Sequence, residues 1–166
     1  QIVQKDFKGK LLAITSEYQV EPKSLILELT ETSLVSDIHL VKEVMLSLND
    51  VGFRFSIDDF GTGYSSLSYL KDLPIAELKI DKCFVDEIEH PGSSATIVDV
   101  ILNMSKALKV KTVAEGVEYR AQYEYLKHRG CDLSQGYLFS QPLPIDEWTA
   151  LVHAQQKLVD AYAERA

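Results

Sequence analysis

Short β-rich runs that end on an acid recur along this chain, and helical stripes of apolar residues separate them. Residues 25–31 are mostly apolar and read as a strand buried on both faces. Residues 53–58 alternate and are β-rich, and 77–81 and 111–115 are shorter runs of the same kind. A fifth strand is expected at 136–139. Val3, Phe7, Leu11, Ile14 and Tyr18 mark a helical stripe over 3–18, with Gly9 inside it. Ser36 or Asp37 can cap a helix carrying Ile38, Val41, Met45 and Leu48, which Gly52 stops. Further stripes are Ile97, Ile101, Met104 and Leu108; Tyr119, Tyr123 and Leu126, stopped by Gly130; and a terminal helix with Trp148, Leu151, Val152, Val159 and Tyr162. Alternating strands and helices predict an α/β chain with a mainly parallel sheet. Four or five β/α units fall short of an eight-unit barrel, which needs ~250 residues. The alternatives are an open doubly wound sheet or the later part of a barrel.

The chain has 166 residues, 46% hydrophobic and 25% charged, which suits one domain with a substantial core. With 17 basic and 25 acidic residues the formal charge is −8. Such a surface repels phosphate backbones, so no DNA or RNA duplex is expected as a partner, and an anionic ligand would need cations to mediate. Cys83 and Cys131 form neither a disulfide framework nor a zinc spacing, which favours a reducing, cytoplasmic setting. No apolar run approaches the ~18 residues of a membrane span, although a longer parent could be tethered through another segment. The chain does not begin with Met and is expected to be part of something longer.

The chemistry concentrates where the strands end. Glu28 and Glu31, then Asp58 and Asp59, then Asp81, then Glu115 lie at or near the carboxyl ends of successive strands, the rim where parallel α/β folds bind ligands. Carboxylates converging there repel one another, and either raised pKa values or oxygen-bound divalent cations relieve them. Mg²⁺ or Mn²⁺ suits such donors together with substrate phosphates. His39, His90, His128 and His153 are scattered and read as surface residues, which disfavours zinc. Neighbours on an extended strand point opposite ways, so Asp58 and Asp59 can share a site only if the chain turns, and a turn starting at Phe60 would allow it. Two metals ~3.5–4 Å apart are a known clamp for phosphoester hydrolysis. Acids at strand ends also cap helices, and Asp81, followed by Lys82, reads as a cap. The loop Phe60, Gly61, Thr62 and Gly63 alone fits many turns. Lys79, within a strand among acids, could neutralise a phosphate or hold an attacking water. Asp, Asp and Lys at strand ends also fit a phosphoacceptor receiver domain.

The ordered segments Glu28-Leu29-Thr30-Glu31, Asp58-Asp59-Phe60-Gly61-Thr62-Gly63-Tyr64-Ser65-Ser66-Leu67, Leu78-Lys79-Ile80-Asp81, Ala114-Glu115-Gly116-Val117-Glu118 and Gln135-Gly136-Tyr137 closely resemble the EAL family of bacterial cyclic di-GMP phosphodiesterase domains. The resemblance implies a modified (β/α)₈ TIM-type barrel of which residues 1–166 are the later β/α units. It implies metal ligation by Glu28, Asp58, Asp59 and Glu115, with Asp58 bridging two Mg²⁺ or Mn²⁺ ions and Glu115 a candidate base. Lys79 matches the lysine that contacts the catalytic water, and Gln135 a late active-site glutamine. Glu31 matches the glutamate that steadies the loop from Phe60 to Leu67, and Glu118 a supporting acid. The activity implied is hydrolysis of cyclic di-GMP to linear pGpG, in a domain that commonly forms homodimers and sits beside regulatory or GGDEF-type domains. The family's Glu-Ala-Leu signature and the asparagine of its N-x-S motif are absent from the chain. The parent domain is therefore expected to be a phosphodiesterase, and the isolated chain weak or inactive. The alternative is a non-catalytic module that binds cyclic di-GMP or a protein partner.

Overall fold

The computed structural model describes residues 1–35, 37–62, 67–89 and 96–163. Five strands form one sheet: β1 (Ile26–Thr30), β2 (Arg54–Phe60), β3 (Glu77–Ile80), β4 (Lys111–Ala114) and β5 (Leu133–Ser134). Helix α1 (Phe7–Glu17) precedes β1, and α2 (Glu31–Val35) and α3 (Ile38–Asn49) follow it. Helix α4 (Leu67–Leu70) follows β2, α5 (Lys82–Asp86) and α6 (Thr96–Leu108) follow β3, α7 (Arg120–Arg129) follows β4, and α8 (Ile145–Ala163) follows β5.

All four strand pairs are parallel, and the spatial order is the chain order β1-β2-β3-β4-β5. A doubly wound sheet, including the receiver type, reverses its order at a switch point. A sheet that advances one strand per unit winds as a barrel does. The fold is therefore α/β with five successive barrel-type units, and neither the open doubly wound sheet nor the receiver domain describes it.

The strand register sorts the side chains onto two faces. Leu27 and Leu29 pair with Phe55 and Ile57, Ile57 with Leu78, and Ile80 with Ala114. These residues share one apolar cluster with Met45 and Leu48 of α3, Val85 of α5, Ile101 and Leu102 of α6, and Leu126 of α7. The opposite face carries Glu28, Ser56, Asp58, Glu77 and Lys79, the pleat alternating between core and rim chemistry.

The local punctuation matches the residues chosen for it. Asp37 caps α3 by accepting from the Leu40 N–H at 3.2 Å, and the other candidate, Ser36, lies outside the described residues. Gly130 ends α7 in the left-handed conformation, φ +82°. Asp81 caps α5, accepting from the Cys83 N–H at 2.7 Å.

Four expectations need correction. The first helix starts at Phe7, not Val3, and its buried side is Phe7, Leu11, Leu12 and Thr15, while Ile14 and Tyr18 face solvent. β1 is only half-buried because it is a sheet edge with no strand on one side. Ile97 lies outward on α6, and Val98, Ile101 and Leu102 turn inward. The fifth strand is Leu133–Ser134, and residues 136–139 form a turn instead. After Gln135 the chain crosses the backbone of Val117, and the Phe139 N–H closes onto the Gly136 carbonyl at 3.1 Å. Tyr137 and Phe139 are left exposed by that turn. Gly63, Tyr64, Ser65, Ser66 and His90 lie outside the described residues. No helix among those described is long and apolar enough to cross a membrane.

Candidate metal centre

The paired aspartates reach one site through a bulge. The β2–β3 register slips between Ile57 and Phe60, and Asp59 takes a left-handed backbone, φ +54°. That extra residue turns Asp59 back toward the side on which Asp58 lies, while Phe60 returns to the core. The redirecting residue is thus Asp59, one earlier than the turn expected at Phe60. Three contacts hold the bulge. The Asp59 N–H donates to Asp58 Oδ1 at 3.0 Å, the Thr62 hydroxyl donates to the Asp59 carbonyl at 2.8 Å, and the Gly61 N–H donates to Glu31 Oε2 at 2.9 Å. Gly61 has φ +98°, and an added Cβ would lie 2.9 Å from the Phe84 ring, so the loop needs glycine there.

Lys79 of β3 stands between the acids. Its ammonium lies 2.7 Å from Glu115 Oε1, 3.0 Å from Glu28 Oε2 and 3.1 Å from Asp58 Oδ1, with the lysine side chain 8% exposed. Burial alone would lower its pKa, but the bonds from Glu115, Glu28 and Asp58 outweigh burial and hold it above the ordinary lysine value. Lys79 is the buried cation among the described residues.

Glu115 follows β4, anchored by its N–H to the Ile80 carbonyl at 3.1 Å. Gln135 follows β5, its N–H on the Ala114 carbonyl at 2.8 Å, and its amide donates to Glu115 Oε1 at 2.7 Å. Burial raises the Glu115 carboxyl, and the charges of Asp58 and Glu28 add to this against the opposing pull of Lys79. Burial also raises Asp59, followed by the charges of Asp58 and Asp81. One carboxylate oxygen from each of Asp58, Asp59 and Glu115 lies within 4.8 Å of the others, an all-oxygen set suited to a hard divalent ion. Glu28 stands outside this trio and meets it through Lys79.

Glu118 takes a different partner. Its carboxylate binds Lys82 at 2.9 Å, and Lys82 also binds Asp86 at 2.9 Å. The Glu118 N–H donates to the side chain of fully buried Gln122 at 2.8 Å. The stem of Lys82 crosses Gly116, where a Cβ would come within 2.4 Å of it. Sequence reasoning missed this lysine as a clamp between the β3 and β4 loops, since nothing but its place after Asp81 marked it. It also missed Ser56 and Glu77, which pair in register, lie on the Lys79 face and are buried. Beside Gln135 opens a cavity of about 610 Å³, lined also by Lys82, Glu118, Tyr137 and Trp148, a volume typical of small-ligand sites.

The EAL domain profile matches residues 1–142. The chain belongs to the EAL domain family. It is 45% identical over 135 residues to the bifunctional diguanylate cyclase/cyclic di-GMP phosphodiesterase MucR of Pseudomonas aeruginosa, covering 81% of this chain and 20% of that protein. The solved MucR phosphodiesterase in complex with c-di-GMP superposes with a TM-score of 0.85 at 40% identity, over 89% of this chain and 60% of that one. The Klebsiella pneumoniae BlrP1 manganese/cy-diGMP complex superposes with a TM-score of 0.76 at 32% identity, over 84% of this chain and 36% of that one. This EAL chain thus spans about a fifth of the length of the curated relative, whose 20% coverage leaves most of that protein unmatched.

Proposed function

We propose that the EAL domain of which this chain is the later part hydrolyses cyclic di-GMP to linear pGpG with the help of divalent metal, the isolated chain being weak or inactive. The carrying observation is the convergence of Asp58, Asp59 and Glu115 oxygens within 4.8 Å beside the buried Lys79 ammonium, at the carboxyl rim of a parallel sheet. Family membership and the c-di-GMP complexes of its structural neighbours support the substrate. Mg²⁺ and Mn²⁺ both suit the donor set, and a manganese-bearing neighbour supports the latter.

In the reaction a water oxygen bonds to one phosphorus of the ring, the ester bond to the leaving sugar oxygen breaks, and that oxygen takes up a proton to become a hydroxyl, which opens the ring to pGpG. Asp58, Asp59 and Glu115 would hold the cation, which when bound supplies charge neutralisation and an acidified water. Glu115 is placed to take the water's proton, and Gln135 fixes its orientation. Lys79 offsets the charge of the acids so that an anionic substrate can approach. Glu31 and Glu118 support the site through the Gly61 loop and the Lys82 clamp. The 610 Å³ cavity next to Gln135 offers room for part of the dinucleotide.

The reading extends to a homodimer and to regulatory or GGDEF-type domains elsewhere in the protein, the latter supported by the double activity named for MucR. The deciding assay follows cyclic di-GMP and pGpG with Mg²⁺, with Mn²⁺ and with chelator, for the natural protein and for Asp58→Asn. The expected result is metal-dependent pGpG formation that falls on the order of 100-fold or more in the variant. Equal turnover by both proteins would sink the proposal. Binding of the dinucleotide without product would instead identify a sensing module.

A further inference from the structure

The same ammonium that neutralises the acids shares two of them with the candidate metal trio. Lys79 has three N–H bonds, and the three carboxylates within 3.1 Å of it give each one an acceptor. Two of those carboxylates, Asp58 and Glu115, are also two of the three that can share a divalent ion. One oxygen of each already accepts two hydrogen bonds, Asp58 Oδ1 from Lys79 and the Asp59 N–H, and Glu115 Oε1 from Lys79 and Gln135, while the second oxygen of each carboxylate takes no part in these contacts. The lysine side chain is only 8% exposed, so solvent screens it little. Glu28 also binds Lys79 and lies outside the trio.

We infer that the Lys79 ammonium is a resident counter-cation that competes with the divalent ion for Asp58 and Glu115, so that this lysine sets how tightly the protein holds metal. The inference rests on the metal reading above. Without metal, Lys79 is the charge that lets Glu28, Asp58 and Glu115 lie together. With metal, the ammonium and the ion share two carboxylates and repel each other. By linkage the opposition is reciprocal: whatever removes the ammonium favours the ion, and the ion lessens the need for the ammonium.

The test compares the natural chain with Lys79→Met, which keeps the stem and removes the charge, and with Lys79→Arg, which keeps the charge. Mn²⁺ affinity is measured by calorimetry and the thermal midpoint is measured with and without Mn²⁺. The expected result for Lys79→Met is a lower midpoint in chelator, a larger rise on adding Mn²⁺ than the natural chain shows, and Mn²⁺ binding tightened about tenfold or more. Lys79→Arg should bind Mn²⁺ within about threefold of the natural chain, because the charge remains. Where Lys79→Met does not fold in chelator, it should fold on addition of Mn²⁺, and its affinity is then read from that transition. Unchanged or weaker Mn²⁺ binding by Lys79→Met, with normal binding by the natural chain, overturns the competition and leaves the metal reading intact. No Mn²⁺ binding by any of the three proteins overturns the metal reading, and the competition with it.

Discussion

The Glu31 carboxylate accepts the Gly61 backbone N–H at 2.9 Å, joining the residue after β1 to the loop that follows the paired aspartates. Glu31 is 2% exposed, so this is a charge-assisted bond in a poorly solvated place. It gives the Asp58–Asp59 bulge a fixed support on a neighbouring unit. Glu31→Ala removes the charged acceptor of the Gly61 N–H and should cost about 1–3 kcal/mol of stability. Glu31→Gln keeps an acceptor and should cost less than half as much. Denaturant unfolding of the two variants checks this, and equal losses would show that the Gly61 bond carries little.

Asp59 combines a left-handed backbone with a ligand oxygen, and the two roles can be separated. Asn tolerates that conformation, so Asp59→Asn should unfold within about 0.5 kcal/mol of the natural chain. Its Mn²⁺ affinity should fall on the order of tenfold or more, since a charged ligand is lost. Asp59→Val should lose the same affinity and also about 1–3 kcal/mol, because a β-branched residue resists the left-handed region. Paired calorimetry and unfolding curves distinguish the two variants.

Asp81 ties stability to pH in a defined direction. Hydrogen bonds from Cys83 hold its carboxyl below the ordinary value of 3.8. A carboxyl lowered on folding adds stability that is fully present above the unfolded value and disappears as pH falls through the folded one. Asp81→Ala should therefore cost about 1 kcal/mol near neutrality through loss of the cap. The gap between the two proteins should close as the pH is taken below about 3.8. Thermal midpoints from pH 7 downward test it, and a gap independent of pH would assign the cost to shape alone.

At Gly136 the chain passes close against the Val117 backbone. A Cβ there would lie 2.3 Å from both the N and O of Val117, with the backbone at φ +154°. Gly136→Ala cannot be absorbed by a flexible side chain, and should cost about 2 kcal/mol or more. Because Gln135 precedes it, the variant should also loosen the Gln135–Glu115 bond and reduce turnover in the full protein. A silent Gly136→Ala would mean that the β5 connection shifts freely.

Local patterns in the chain already carried much of this molecule. The period-3.6 spacing of Val41, Met45 and Leu48 places those three on the buried side of α3, because a helix repeats its face within one turn. Asp37, Asp81 and Gly130 act as helix boundaries because capping needs only neighbouring atoms. The acids at the strand ends were visible for the same reason, since each follows its own β-rich run. Other features depend on chain segments far apart in sequence. Lys79 meets Glu28, Asp58 and Glu115 from three other β/α units, and no local rule encodes which acids a buried ammonium will touch. The left-handed turn at Asp59 is held by Glu31 through Gly61, the clamp of Lys82 on Glu118 crosses two loops, and the fifth strand ends early because Gly136 must cross Val117. Residue type and spacing set which groups are available at the rim. Strand register, burial and close backbone approach set which of them meet, because a carboxylate's charge and a lysine's affinity for it depend on distance and solvent, and the linear order of residues contains neither.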